Sequence, residues 1–252
     1  MRKFIINNHK GGSCKTTSAV NLGAALAEKG KKVLLIDLDP QGSASIWFGQ
    51  KRIQKGESLF SQDAEPGLVD RITIPTETEN LFLIPNISIK ERNNKDTKQS
   101  ASRGNVLKTR LKELEESRYD FIFFDCAPGL NLVTLNALAA ADELLIPIAA
   151  NYLVLNGVIS LLETIKTVKV KLNPNLHISG VLPSRVDAKV KHTLEILDLL
   201  IEKFGSLVYQ TYIREDIKLA ECPSFAKTIF QYDSKSMGAE DFSALADEIL
   251  DR

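Results

Sequence analysis

The 252-residue chain is poor in cysteine and has no excess of either charge. Its three cysteines, Cys14, Cys126 and Cys222, lie far apart without a C-x-x-C spacing, so we expect neither a disulfide framework nor a metal cluster. Lys and Arg together number 32, as do Asp and Glu, which argues against a general polyanion-coating protein. This balance still allows a local basic patch.

Long apolar runs are also lacking. The longest, residues 135–155, is interrupted by Asp142, Glu143 and Pro147, which argues against a membrane-spanning helix. Residues 1–10, MRKFIINNHK, enter a predicted strand at once and do not have the pattern of a signal peptide. With 44% hydrophobic and 25% charged residues, the chain has the composition of one large domain, which we expect to span residues 1–252 in a reducing cytoplasm.

Apolar runs of strand length alternate with helical patterns along the chain. The predicted strands are residues 3–7, 32–39, 81–85, 119–125, 143–148 and 178–184, and the predicted helices are residues 15–29, 105–116, 130–141, 156–171 and 190–204. Strands that are almost continuously hydrophobic are typical of a parallel sheet buried on both faces. We therefore predict an α/β fold with a doubly wound, mostly parallel β-sheet flanked by helices. The polar stretch 90–105 is predicted to be an exposed or mobile loop.

Residues 9–17, HKGGSCKTT, follow the first predicted strand and open the first predicted helix, where a phosphate-binding loop would lie. Compared with the usual G-x-x-x-x-G-K-[ST] pattern, His9 and Cys14 replace the two glycines, while Lys15 and Thr16 remain. Backbone N–H groups here could surround an anion, Lys15 would reach the β- and γ-phosphates, and Thr16 would bind Mg²⁺. The predicted nucleotide-binding residues of this loop are Lys10, Gly11, Gly12, Ser13, Cys14, Lys15, Thr16 and Thr17. The alternative is a Gly-Gly turn that only starts a helix.

Carboxylates stand at the ends of two predicted strands. Asp37 and Asp39 end one strand, and Asp125 follows four apolar residues at the end of another. Because the carboxyl ends of parallel strands gather at the ligand crevice, we expect these acids to lie beside the phosphate loop. Asp125 has the form of a Walker B aspartate, and together with Thr16 and Asp37 it is a predicted Mg²⁺ site. Turn formation is the competing interpretation for any single aspartate.

Four blocks carry a family resemblance. They are KGGSCKTT (10–17), DLDPQGSAS (37–45), DCAPGLNLVTLNAL (125–138) and IREDIKLAECPSFAKTI (213–229). In that order they resemble the signature blocks of the ParA/MinD family of deviant Walker A ATPases, which are P-loop NTPases. The likeness covers nearly the whole chain and is greatest to the short ParA proteins, which have no N-terminal helix-turn-helix domain. The resemblance implies ATP and Mg²⁺ as cofactors.

The resemblance also assigns roles to individual residues. Lys10 would reach the phosphates of the partner subunit in an ATP-sandwich homodimer and serve hydrolysis. Asp39 would orient or activate the attacking water, while Asp37 would support the metal and the switch network. Lys10, Lys15 and Asp39 are therefore the predicted catalytic residues, and residues 129–132 the second switch. The predicted residues on the adenine side are Pro183, Ser184 and Pro223.

Cys14 departs from the family pattern, which has glycine at this position. Since cysteine is small and keeps its N–H, a working loop is expected, and an inactive ATPase is the alternative. A thiol at a helix N-terminus next to Lys15 is expected to have a lowered pKa and to be reactive. A buried, inert thiol is the competing interpretation.

Two segments, residues 184–192 and 213–227, could form a basic patch. The predicted DNA-binding residues are Arg185, Lys189, Lys191, Arg214 and Lys218. The resemblance places DNA contacts at positions matching Lys189 and Lys218. A solvated surface without a ligand is the alternative.

The resemblance implies a nucleoid-associated ATPase that dimerises with ATP, binds nonspecific DNA, and is stimulated by a ParB-like or other adaptor protein. It would segregate or position DNA or other cargo. A MinD-type membrane-associated ATPase is one alternative, although the acidic residues 238–252 do not suit a membrane-binding tail. An ATP-dependent synthetase of the same loop class is another.

Overall fold

A computed structural model describes residues 1–50, 58–60, 66–86, 104–114, 118–150 and 155–252, without the side chains of 155–160. The predicted polar loop 90–105 lies outside the described residues except for Gly104 and Asn105. Among the described helices, none is both long and apolar enough to cross a membrane.

Eight strands form one sheet in the order β3-β4-β2-β5-β1-β6-β7-β8. They are β1 (Arg2–Ile6), β2 (Val33–Asp37), β3 (Ile74–Pro75), β4 (Leu81–Ile84), β5 (Phe121–Asp125), β6 (Glu143–Ala149), β7 (His177–Val186) and β8 (Ile213–Arg214). Every neighbouring pair is parallel except β3 with β4. The predicted mostly parallel sheet is therefore confirmed.

Helices cover both faces of the sheet. The described residues form α1 (Lys15–Glu28), α2 (Ser43–Trp47), α3 (Leu68–Ile72), α4 (Val106–Leu111), α5 (Leu132–Ala140), α6 (Leu155–Lys171), α7 (Lys191–Phe204), α8 (Ile217–Glu221), α9 (Ile229–Asp233) and α10 (Met237–Asp251). Side chains of β1 alternate between the faces, so that Phe4 packs with the α1–α10 side and Ile5 with the α4–α7 side. The doubly wound, three-layer arrangement follows from this alternation.

The central strands end at one edge of the sheet, and this edge carries the predicted site. In the ladder between β2 and β5, Asp37 pairs with Asp125, so the two acids lie side by side. Loop 7–14 leaves β1, which is hydrogen-bonded to β5, and enters α1. The sheet therefore brings the predicted loop and two of the predicted acids together.

Some predicted elements have different bounds. α4 ends at Leu111 and not at residue 116, because Lys112, Glu113 and Leu114 each donate to the carbonyl three residues back, a tighter turn than an α-helix. β2 ends at Asp37 and not at residue 39, because the next residues turn back on the Asp37 carboxylate.

The C-terminal helix α10 was not among the predicted elements. Ser236 caps it by accepting a hydrogen bond from Ala239 N–H, and its apolar side packs on α1. Phe242, Leu245 and Ile249 are fully buried at helical spacing, so the signal was present in the sequence. β3 and β8 have two residues each, too few to show any periodicity.

Candidate functional site

The candidate phosphate loop has an open, strained backbone. Gly12 has φ +72° and Cys14, the N-cap of α1, has φ 64° and ψ 24°. A Cβ added to Gly11 or Gly12 would meet no atom within 4 Å. The loop thus presents open space at the N-terminus of a 14-residue helix, which favours binding of an anion.

Lys15 lies inside this loop. Its Nζ donates to the carbonyl oxygen of Lys10 at 3.0 Å and to Ser13 Oγ at 3.4 Å. Burial lowers the pKa of the Lys15 ammonium, and the negative charges of Asp125 and Asp39 oppose this effect. The buried ammonium therefore lies between the loop and the acids at the end of the sheet.

Thr16 and Asp125, two of the three predicted Mg²⁺ ligands, are in direct contact. Thr16 Oγ1 donates to Asp125 Oδ2 at 2.8 Å, whereas the buried Oδ1 has no hydrogen-bond partner. Burial and the neighbouring charge of Asp37 raise the pKa of Asp125 well above its ordinary value. A divalent cation beside Thr16 and Asp125 would give Oδ1 a partner and offset the repulsion between the acids, so these residues fit Mg²⁺.

Asp37 has other contacts. Its Oδ1 accepts from Asp39 N–H at 3.0 Å, and its Oδ2 accepts from Ser45 N–H at 2.8 Å and Ser45 Oγ at 2.6 Å. Burial raises the pKa of Asp37, although the Ser45 donors favour its charged form. Through these hydrogen bonds the Asp37 carboxylate stabilises the turn between β2 and α2. The metal role predicted for Asp37 stays a prediction, and among the described residues no group of three or more His, Cys, Asp or Glu could hold a metal.

Asp39 is held in place by contacts between the segments that follow the neighbouring strands β2 and β4. Its Oδ1 accepts from Gln41 N–H at 2.8 Å, while its carbonyl oxygen accepts from the Asn86 side-chain amide. Asn86 N–H in turn donates to Ser45 Oγ at 2.7 Å. Ser45 and Asn86 therefore fix the loop that carries Asp39, and sequence reasoning missed both.

A cavity of about 480 Å³ extends along the loop. It is lined by loop residues 12–18 and Asp39, and by Arg185, Glu215 and Leu219 among others. Ser184 lines the cavity, as predicted for the adenine side, but Pro183 and Pro223 do not. Pro183 is buried within β7, and Pro223 lies in a short 3₁₀ turn.

The predicted DNA-binding residues are not one continuous set. Arg185 lines the cavity and pairs with Glu215; Arg214 pairs with Asp241 and Glu240; Lys218 contacts Asp233. Lys189 and Lys191 are exposed, and Lys191 Nζ lies 3.6 Å from Glu195. The five-residue patch stays a prediction, and four of its five cations already have an acidic neighbour.

The expected low pKa of Cys14 is wrong. Burial raises the pKa of the Cys14 thiol to about 11, outweighing the opposing charges of Arg185 and Lys15. The thiol is therefore neutral near pH 7 and a poor nucleophile. Cys14 also has a left-handed backbone, which glycine adopts without strain and which costs other residues about 1–2 kcal/mol.

Cys14→Gly is expected to stabilise the protein by about 0.5–1 kcal/mol, because relief of the left-handed strain exceeds the backbone entropy that glycine loses on folding. Urea denaturation without nucleotide would measure the free energy of unfolding. Cys222→Gly is the matched control. Cys222 is buried and has helical backbone angles, φ −43° and ψ −47°, so this substitution should destabilise the protein. If both variants lose stability equally, the backbone strain at Cys14 does not lower the free energy of unfolding.

Comparison with known proteins identifies the class. A family model described as AAA domain (AAA_31) matches residues 1–178. Together with full-length similarity to partitioning proteins, this match shows that the chain belongs to the ParA/MinD family of P-loop ATPases. The chromosome-partitioning ATPase Soj of Treponema pallidum is 38% identical to it, over 100% of this chain and 98% of its own.

Two solved structures have the same fold. Cobyrinic acid a,c-diamide synthase from Mycobacterium smegmatis, with bound ADP and magnesium, has a TM-score of 0.82 at 30% identity, covering 99% of this chain and 94% of its own. A McdA variant from Cyanothece in complex with ATP has a TM-score of 0.84 at 26% identity, covering 100% of this chain and 96% of its own.

Proposed function

We propose that this chain, acting as a single ATPase domain, binds Mg-ATP, forms an ATP-sandwich homodimer, and hydrolyses ATP slowly until an adaptor protein stimulates it. The observation that carries the proposal is the Thr16–Asp125 hydrogen bond, with its unpartnered Asp125 Oδ1, next to the buried Lys15. Binding of ADP or ATP by structural neighbours at 26–30% identity supports the same ligand here.

The residues would divide the chemistry between them. Loop N–H groups and Lys15 would bind the phosphates, while Thr16 and Asp125 would hold Mg²⁺, whose charge would offset that of the phosphate oxygens. Asp39, fixed by Asn86, orients the water that attacks the terminal phosphate. Lys10 of one subunit would add positive charge at the partner's phosphates.

The dimer would bind DNA through phosphates without reading sequence and would position DNA or other cargo on the nucleoid, in the cytoplasm. Similarity to a chromosome-partitioning ATPase supports this role. The MinD-type alternative has less support, because α10 contains acidic residues but neither Lys nor Arg.

An ATP-dependent synthetase is the second candidate, because the similarity to cobyrinic acid a,c-diamide synthase spans 99% of the chain. Sedimentation and phosphate release separate the two. A partitioning ATPase dimerises with ATP but not ADP and releases phosphate without a co-substrate. ATP-independent association, with no phosphate release unless an acid and an amine donor are added, would favour the synthetase.

Thr16→Ala is expected to weaken ATP binding by about 10- to 100-fold when Mg²⁺ is present and to change it little in EDTA, because the hydroxyl acts through the metal. Isothermal titration in both buffers would measure this. Thr17→Ala is the matched control, since no described hydrogen bond joins Thr17 to Asp125, and its effect should not depend on Mg²⁺. Equal losses with and without the metal would contradict the assigned magnesium site.

A further inference from the structure

Arg185 has an unusual position for a residue expected on a DNA-binding surface. It is the exposed residue between the buried Ser184 and Val186 in β7, and it lines the same cavity as the phosphate loop. Its guanidinium makes two hydrogen bonds to the Glu215 carboxylate, at 2.8 and 3.0 Å. The pair therefore bridges the end of β7 and the residue that follows β8, beside the cavity.

Stability does not explain this arrangement. Arg185 has φ 55°, a left-handed backbone that is strained for a residue with a side chain. The ion pair that it forms is exposed, at 59% for Arg185 and 47% for Glu215, and exposed pairs stabilise a fold little. Strain that the fold does not need is typical of functional sites.

The charges of the cavity are distributed unevenly. Lys15 and the N-terminus of α1 suit a polyanion. Arg185 and Arg214 also line the cavity, but Glu215 neutralises Arg185, and Asp241 with Glu240 neutralises Arg214. The lining around these neutralised arginines therefore suits the uncharged part of a nucleotide.

We propose that Arg185 lies against the face of the nucleobase and that Glu215 is a positioning residue that holds the guanidinium plane in place. This inference rests on the proposed function, because it requires ATP in the cavity. Two fixed hydrogen bonds keep the guanidinium flat and oriented, and a planar guanidinium stacks well on an aromatic ring. Arg185 then belongs to the nucleotide site and not to a DNA-binding patch.

The test compares ATP with tripolyphosphate, which has the phosphates but no base. Arg185→Ala should weaken ATP binding by about tenfold and leave tripolyphosphate binding within about twofold, both measured by competition against a fluorescent nucleotide. Arg185→Lys, which keeps the charge but not the plane, should not restore ATP affinity. Lys203→Ala is the matched control, since Lys203 is exposed on α7 but does not line the cavity, and it should change neither affinity.

Glu215→Ala should lose part of the ATP affinity without weakening tripolyphosphate binding, and Glu215→Gln, which can still accept one hydrogen bond, should recover most of it. Equal weakening of ATP and tripolyphosphate in Arg185→Ala would mean a phosphate contact and overturn the inference. So would unchanged ATP affinity or full rescue by lysine. If the wild-type protein itself does not bind ATP, the proposed function fails, which is a distinguishable result.

Discussion

Lys10→Ala is expected to abolish ATP-dependent dimerisation and to lower stimulated ATP turnover by roughly 10³-fold or more, because it removes a cation acting on the partner's phosphates. Binding of ATP by the monomer should survive. The contacts that Lys10 makes with Ser13 and Lys15 use its backbone carbonyl oxygen, which the substitution keeps. The phosphate loop should therefore stay assembled.

Sedimentation velocity in an Asp39→Ala background would test Lys10, because hydrolysis should be slow there and the ATP dimer should accumulate. Lys15→Ala is the control for loss of binding, since its ammonium lies inside the loop. An undiminished ATP dimer in the Lys10→Ala, Asp39→Ala double variant would refute the role of Lys10 across the interface.

Lys189→Glu with Lys191→Glu is expected to abolish ATP-dependent binding of random duplex DNA at 100 mM salt while leaving ATP-dependent dimerisation intact. Both residues are exposed on the segment that follows β7. If each contacts one phosphate, the dimer loses about four contacts, and the slope of log K against log salt should fall by roughly 3.6. Fluorescence anisotropy across a salt series would measure both quantities.

Two further variants sharpen this test. Lys218→Glu should have a smaller effect than the double variant, because its ammonium already contacts Asp233. Lys31→Glu with Lys32→Glu is the matched control, since it makes the same change in charge just before β2, at the opposite edge of the sheet. If the Lys189, Lys191 double variant and this control bind DNA equally, the DNA surface lies elsewhere.

The phosphate loop could be predicted because its signal is local. Lys15 and Thr16 follow a glycine pair between a buried strand and a helix, and consecutive residues specify that turn. Asp37 and Asp125 could be placed together because both end strands of a parallel sheet. The contacts that hold Asp39 could not be predicted, since Asn86 lies 41 residues from Ser45 and outside the four signature blocks.

The pKa of Cys14 could not be predicted from the sequence for a different reason. Its position at a helix N-terminus beside Lys15 indicated a reactive thiolate, and both features are present in the structure. Burial nevertheless outweighs them and raises the pKa to about 11. The sequence shows which charges are adjacent along the chain, whereas desolvation depends on what the rest of the chain packs around the thiol.

By itself the sequence determined the alternation of the longer central strands and helices, the position of the phosphate loop, and the meeting of Thr16 with Asp125. Only the tertiary structure decided which cations remain available. Arg185, Arg214 and Lys218 have their acidic partners 30, 27 and 15 residues away, respectively, on segments that folding brings beside them. The physical reason is that periodicity and turn geometry are properties of consecutive residues, while an ion pair or a buried charge is created by packing between distant ones.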